Sequence, residues 1–180
     1  MAKKQKQGKS MEAALWESAN KLRGAVEPAE YKHVVLSLIF LKYASDKFEE
    51  RRQEIIDEGH EAFVDNVAFY AMKSVFYLPP ESRWSYIMEQ AKQSDIALKI
   101  DTALYTIEKN NESLRGALPD NYYSRLGLDT EKLASLLDEI NKIKLEERAL
   151  FFLEQQQANR HTVVSFRPQR QTEKGARQNV

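Results

Sequence analysis

The sequence predicts an all-α fold, an irregular bundle of about five to seven helices with disordered basic tails. Three observations lead to this prediction. Apolar residues recur at helical spacing along most of the chain. No segment alternates apolar and polar residues convincingly enough to predict a strand. Glycine, proline and helix-capping residues stand where the helices would begin and end. This pattern is typical of helices that pack around a shared core.

The first predicted helix covers residues 11–23. Leu15, Ala19 and Leu22 lie on one face of it and give the helix an apolar side. Gly24 follows directly, at the position where helices often end with a residue that tolerates a positive φ angle.

The second predicted helix covers residues 28–58 and carries the stretch VVLSLIFL in its middle. Pro28 suits a first helical turn, and Gly59 provides the stop. The apolar run at 34–41 has eight residues, whereas a membrane-spanning helix needs about 20. We therefore expect a central helix that is buried on most sides, and the charged stretch at 46–58 is expected to reach solvent.

The middle of the chain is rich in aromatic residues. A helix is predicted over residues 60–72, although the apolar period there is ambiguous. The stretch SVFYLPP at 74–80 is predicted to be extended, because residues before proline avoid the helical region. A further helix is predicted over residues 81–92, with Trp84 in the core.

Two more helices complete the bundle. Ser94 and Asp95 are natural N-caps for the first of them, which is expected to fray near residues 110–111. Residues 114–129 are predicted to be loop and short turns, and the Asp-Thr pair at 129–130 caps the last clear helix. The apolar residues that these two helices turn inward are Ile96, Ile100, Ala103, Leu104, Ile107, Leu133, Leu136, Leu137, Ile140 and Ile143.

The domain boundaries are predicted from changes in composition and apolar periodicity near both ends of the sequence. Residues 1–10 are predicted to form a basic disordered tail, and residues 11–147 the helical domain. Residues 148–180 are polar, basic and aperiodic, and we predict a second disordered tail there.

Charge is spread unevenly along a chain whose formal net charge is zero. Residues 1–9 carry four lysines and residues 160–180 carry five basic residues and one glutamate. Of the 27 basic and 27 acidic residues, 18 basic and 26 acidic therefore remain in residues 10–159. Affinity for DNA comes mainly from neutralising phosphates. This acidic body needs a local basic face or a partner in order to bind DNA.

The residues that catalysis would need are scarce. There is no cysteine, which excludes disulfides, thiol catalysis and thiolate metal sites. His33, His60 and His161 lie far apart and lack the spacing of metal ligands. There is no glycine-rich phosphate loop and no serine elbow. Neighbouring acidic residues point to different sides of a helix. By itself the chain is not expected to be an enzyme, nor to hold a metal or cofactor.

Basic residues on predicted helix exteriors are the candidate contacts for phosphates, bases or protein partners. One group follows the buried run, two residues end the first helix, one neighbours Trp84 and one lies in the RGALP segment. The alternative for each is an ordinary solvated charge. The candidates are Lys21, Arg23, Lys42, Lys47, Arg51, Arg52, Arg83 and Arg115.

Four blocks of the sequence resemble the N-terminal helical domain of the modification (methyltransferase) subunit of type I restriction–modification systems. They are LWESANKLRG at 15–24, EYKHVVLSLIFLKYASDKFEERR at 30–52, LPPESRWSYI at 78–87, and the stretch from DIALKIDTALYTIEKNN to LLDEINKI at 95–143. The long second block and the RGALP segment are the specific ones, and the blocks follow each other in order.

The resemblance implies a function within a complex. In this family the full-length subunit transfers a methyl group from S-adenosylmethionine to N6 of adenine in DNA. Two modification subunits flank one specificity subunit, and the helical domain helps to close the pair around double-stranded DNA. The eight basic residues then become candidate DNA or subunit contacts. No membrane partner is implied, and a cytoplasmic location is expected.

The family's catalytic part is expected to be missing. Pro79 and Pro80 follow Leu78 and do not form the Asn-Pro-Pro-Phe motif that holds the flipped adenine. The family pattern also ends after Ile143. A truncated, frame-shifted or split subunit is therefore expected, inactive alone, with S-adenosylmethionine belonging only to full-length relatives. The alternative is a truncated or remnant helical protein that acts only as a structural or regulatory interaction module.

Overall fold

The computed structural model describes residues 13, 17 and 20–143. These residues form six α-helices and three short 3₁₀ turns, with no β-strand among them. The predicted all-α bundle is therefore confirmed over this range. Both predicted tails and most of the helix predicted at 11–23 lie outside the described residues. The six helices are α1 (Pro28–Asp57), α2 (Val67–Ala71), α3 (Trp84–Glu89), α4 (Ile96–Asn110), α5 (Tyr122–Leu126) and α6 (Thr130–Asn141).

Helix α1 is the centre of the bundle and contacts α2, α3 and α6. It ends at Asp57, and Gly59 then adopts a φ angle of +82°. A left-handed residue ends a helix, and glycine adopts this conformation without the steric cost of a Cβ atom. The predicted bounds are thus confirmed to within one residue. The predicted burial of the middle is also confirmed, for Val34, Val35, Leu38, Ile39, Phe40 and Leu41.

The segment after α1 differs from the single helix predicted over residues 60–72. A 3₁₀ turn, Glu61–Phe63, precedes the five-residue helix α2. The side chain of Asn66 accepts a hydrogen bond from the Ala68 amide at 3.0 Å and so starts a new helix. The prediction of one helix was wrong because Asn66 caps α2 in the middle of the range. Of the stretch predicted to be extended at 74–80, residues 75–79 lie outside any helix or turn, whereas Ser74 lies in a turn with a φ of 57° and Pro80 begins a 3₁₀ turn.

Helix α3 is shorter than the helix predicted over residues 81–92, because a 3₁₀ turn, Pro80–Ser82, occupies the beginning of that range. Trp84 is buried, as predicted. Its amide donates to Oγ of Ser45 and its indole Nε1 to Oδ1 of Asn141, both at 2.8 Å. These two bonds connect α3 to α1 and α6.

Helix α4 begins where the sequence predicts, but Asp95 does not cap it as predicted. Asp95 precedes the helix, yet its side chain makes no capping hydrogen bond and instead pairs with Lys99 at 3.0 Å. The cap predicted for α6 is confirmed, because Asp129 accepts from the amides of Glu131 and Lys132 at 2.8 and 3.3 Å.

Helix α5 lies within the segment 114–129, where the sequence predicts only loop and turns. Asn121 precedes it with a positive φ of 46° and gives no side-chain cap. The buried carboxylate of Asp101, on α4, supplies the missing acceptor. It accepts from the amides of Tyr123 and Ser124 at 2.9 and 2.8 Å and from the Ser124 hydroxyl at 2.6 Å. This helix therefore depends on a tertiary contact, which its own sequence does not reveal.

The extended stretch before α3 is fixed by Asn111, the residue that follows α4. Its side-chain amide accepts from the Tyr77 amide and donates to the Tyr77 carbonyl, both at 2.9 Å. It also donates to the carbonyl of Ile107 at 2.7 Å. Asn111 is thus an ordered, buried residue at the point where the sequence predicts fraying.

Within the described part of the chain, no helix combines the length and the apolar character that are needed to cross a bilayer. The cytoplasmic location stays a prediction.

Candidate functional site

Lys42 and Lys47, two of the predicted contact residues, form ion pairs along α1. Lys42 is 8% exposed, and its Nζ lies 2.8 Å from a carboxylate oxygen of Asp46. Lys47 is more accessible and pairs with Glu50 at 3.0 Å. Both pairs join residues three or four positions apart, which are neighbours on a helix surface. The charge of each lysine is therefore balanced within its own helix.

Arg51 is buried by partners from its own chain. Its Nη1 lies 2.9 Å from Glu54 and 3.2 Å from Glu58, and its Nε donates to the carbonyl of Phe69 at 3.1 Å. Burial disfavours the charged guanidinium, but the hydrogen bonds and charges of the two glutamates outweigh burial and raise the pKa of Arg51. The side chain thereby connects α1 to α2.

Three predicted contacts lie on the outside. Lys21 and Arg23 are exposed beside the turn that precedes α1. Arg115 is exposed over 79% of its side chain and lies 3.5 Å from Glu112. An exposed pair of this kind contributes little to stability. These three residues are accessible to a ligand, and the structure does not bring Arg115 together with the other two in any contact.

Arg52 and Arg83 both lie on the side of α1 that carries Phe48. Phe48 and Arg52 are four positions apart and share a helix face. The guanidinium of Arg83 lies over the ring of Phe48, 4.6 Å from its centroid. Nε of Arg83 donates to the carbonyl of Leu78 at 3.1 Å, which holds the side chain in place. Two positive side chains from separate parts of the chain therefore lie on the same side of α1.

Aromatic rings form the floor beneath these two arginines. Phe48 stacks on Tyr70 with ring centroids 4.8 Å apart, and both rings meet Tyr77 edge-on at 5.7 and 5.3 Å. Burial raises the pKa of Tyr70, and the charges of Arg52 and Arg83 oppose that shift. The charges of both arginines therefore act on the same hydroxyl, which donates a hydrogen bond to the carbonyl of Val64. We call Phe48, Arg52, Tyr70, Tyr77 and Arg83 the arginine–aromatic cluster.

One acidic residue belongs to the surroundings of this cluster. The charge of Asp65 adds to burial in raising the pKa of Tyr77, while Arg83 opposes it. Sequence reasoning singled out Arg52 and Arg83 but not Tyr70, Tyr77 or Asp65. The aromatic composition of the segment after α1 was visible, yet nothing in the spacing indicated which rings would lie beneath the arginines.

The described residues contain no glycine-rich loop of the strand–loop–helix type. The glycines at 24, 59, 116 and 127 stand singly at turns or helix ends. No strand precedes them in this range, so they form no phosphate loop of the strand–loop–helix type. The same range contains no group of three or more residues suited to hold a metal ion.

The described residues form an all-α domain with a central buried helix, and two arginines lie against aromatic rings on one side of that helix. A profile of the HsdM N-terminal domain family matches residues 11–143, and the chain belongs to this family. The resemblance drawn from the four sequence blocks is thereby confirmed.

Two relatives are named as methylase subunits of type I restriction enzymes. The MjaIX subunit of Methanocaldococcus jannaschii is 33% identical over 147 residues, which cover 73% of this chain and 26% of the relative. The MpnII subunit of Mycoplasma pneumoniae is 24% identical over 175 residues, which cover 81% of this chain and 32% of the relative. The chain therefore spans about a quarter to a third of the length of these relatives.

Proposed function

We propose that this domain serves the assembly of a type I methylase complex and the clamping of DNA within it. The observation that carries the proposal is the family match over residues 11–143, which includes all six described helices. The partners would be a specificity subunit and modification subunits. Double-stranded DNA would be bound through the complex. The complex would methylate adenine at N6 with S-adenosylmethionine.

The charge distribution supports a role that depends on partners. The body of the chain is acidic, and several of its basic side chains are already balanced by carboxylates on the same helix. Such a body is expected to bind DNA weakly by itself, because phosphate neutralisation dominates affinity. A specificity subunit that supplies further phosphate contacts would raise the affinity.

The first test measures DNA binding at several salt concentrations. The 180-residue chain is titrated with duplex DNA alone, and then together with a specificity subunit and an intact methylase subunit. We expect weak, salt-sensitive binding alone and tighter binding in the mixture. No effect of the partner subunits would contradict the proposal and favour a structural or regulatory module that has no role on DNA.

The second test concerns catalysis. We propose that the 180-residue polypeptide does not transfer methyl groups by itself. Labelled S-adenosylmethionine and duplex DNA are incubated with this polypeptide, and the intact methylase complex serves as the positive control. Incorporation of label by the polypeptide alone would refute this part of the proposal.

A further inference from the structure

Among the described basic residues, Arg52 and Arg83 combine partial burial with the lack of an ion-pair partner. Neither lies within the 4.0 Å ion-pair distance of a carboxylate in the described part of the chain. Both are partly buried, and they share one aromatic floor. Basic residues that do form ion pairs in the same range are Lys42, Lys47, Arg51, Lys99, Arg115 and Lys142.

A second observation is independent of charge. Nε of Arg52 is buried, yet it has no hydrogen-bond partner among the described residues. The same holds for Oγ of Ser82, which directly precedes Arg83. A buried donor without an acceptor is destabilising, because it has lost its hydrogen bond to water and gained no other. The two positive charges that act on Tyr70 also repel each other, and the charge of Asp65, which acts on Tyr70 and Tyr77, offsets part of that repulsion. An oxyanion bound between the two arginines would relieve both costs.

We infer that Arg52 and Arg83 form a binding site for a phosphate oxyanion, supplied by the backbone of double-stranded DNA. This inference rests on the proposed function and deepens it, because it assigns the phosphate contact to one place on the domain. Guanidinium groups bind phosphate through paired N–H donors. The stacking of Arg83 on Phe48 and its bond to Leu78 fix one of the two groups before the ligand arrives.

The rings of the cluster favour a backbone contact over a base contact. Phe48 and Tyr70 are fully buried and Tyr77 is 9% exposed. Base stacking requires an open aromatic face, and these rings offer none. The site therefore contacts DNA without reading its sequence. A planar carboxylate of a protein partner is the competing ligand, and the experiment separates the two.

The experiment follows the arginine Nε–H signals by NMR in the isotope-labelled full chain. Duplex DNA and inorganic phosphate are added in separate titrations. Arg52→Gln and Arg83→Lys are compared with Arg125→Gln, an exposed arginine whose Nε already donates to the carbonyl of Asn121. Circular dichroism and thermal melting confirm that each variant folds. The DNA titrations are repeated with the specificity and intact methylase subunits present.

We expect the signals of Arg52 and Arg83 to shift with DNA and with phosphate, and that of Arg125 to stay unchanged. Arg52→Gln should weaken DNA binding about tenfold, as expected for one charge-assisted hydrogen bond. It should also lower the slope of log K against log salt by about 0.9. Arg83→Lys keeps the charge, so it should weaken binding and leave the slope unchanged.

The remaining outcomes separate this inference from the proposed function. Shifts with inorganic phosphate alone would support the oxyanion site and count against DNA clamping. Tight DNA binding by the complex that is equal in wild type and Arg52→Gln, with no shift at either arginine, would overturn the site and leave the proposed function standing. Loss of subunit binding in Arg52→Gln with DNA binding intact would identify a protein carboxylate and overturn the phosphate assignment.

Discussion

Removal of the Asp101 carboxylate should destabilise the domain by about 3 kcal/mol. Asp101 is 4% exposed and accepts the amides of Tyr123 and Ser124, which begin α5. In Asp101→Ala both amides lose their acceptor, and each unsatisfied buried donor costs about 1–3 kcal/mol. The Tyr123 amide is buried and bears the full cost, whereas water reaches the partly buried Ser124 amide. The sum is roughly 2–4 kcal/mol.

The assay is urea unfolding of the full chain followed by circular dichroism. Asp101→Asn keeps one oxygen acceptor and should lose roughly half as much as Asp101→Ala. Asp138→Ala is the matched control, because Asp138 is exposed on α6 and surface changes usually stay within about 0.5 kcal/mol. A loss below about 1 kcal/mol in Asp101→Ala would refute the reasoning that this carboxylate holds α5 in place.

Three further predictions concern buried polar contacts. Trp84→Phe keeps an aromatic ring but loses the bond to Asn141, and should cost about 1 kcal/mol in urea unfolding. Asn111→Ala leaves the amide and carbonyl of Tyr77 without partners and should cost about 2–3 kcal/mol in the same assay. Burial raises the pKa of Tyr123 above its ordinary value of 10.0, so the folded state holds this proton more tightly than the unfolded state. The resulting stability is complete below about pH 10 and is lost as the pH rises further, by about 1.4 kcal/mol per pH unit. Tyr123→Phe should flatten this alkaline decline.

Each of these predictions has its own control. For Trp84→Phe, a double-mutant cycle with Asn141→Ala should give a coupling energy, and a coupling near zero would contradict the hydrogen bond. Gln93→Ala, at an exposed position, is the comparison for Asn111→Ala, and equal losses would mean that the Asn111 contacts contribute nothing. Tyr105→Phe changes an exposed tyrosine and should keep the alkaline decline of the wild type.

The long helices could be predicted from the sequence because their signals are local. Gly59 ends α1, Asp129 caps α6, and the apolar period of α4 is regular. The short helices could not be predicted in the same way. Helix α2 starts at Asn66 inside an aromatic run, and α5 is capped by Asp101 from another helix. A helix of five residues has too few positions to show a period.

The candidate site was predictable in part. The sequence marked Arg52 and Arg83 as basic residues outside the apolar stripe, together with six others. It did not show that Arg51 is neutralised by Glu54, or that Arg83 lies over Phe48. Both facts depend on side-chain direction and on contacts across the fold. Residues 51 and 52 are adjacent in sequence, yet only Arg51 has carboxylate partners within the described range.

The burial of α1 has a consequence for the order of events during synthesis. The hydroxyl of Tyr123 donates to the carbonyl of Val34, 89 positions earlier in the chain. A ribosome adds about 5–20 residues per second, so this part of the cover of α1 is made roughly 4–18 seconds after Val34. During that interval α1, whose middle is buried in the folded domain, has been synthesised without its later neighbours. Exposed apolar surface of this kind aggregates or binds chaperones. The yield of folded protein should therefore depend on the speed of translation and on the supply of chaperones.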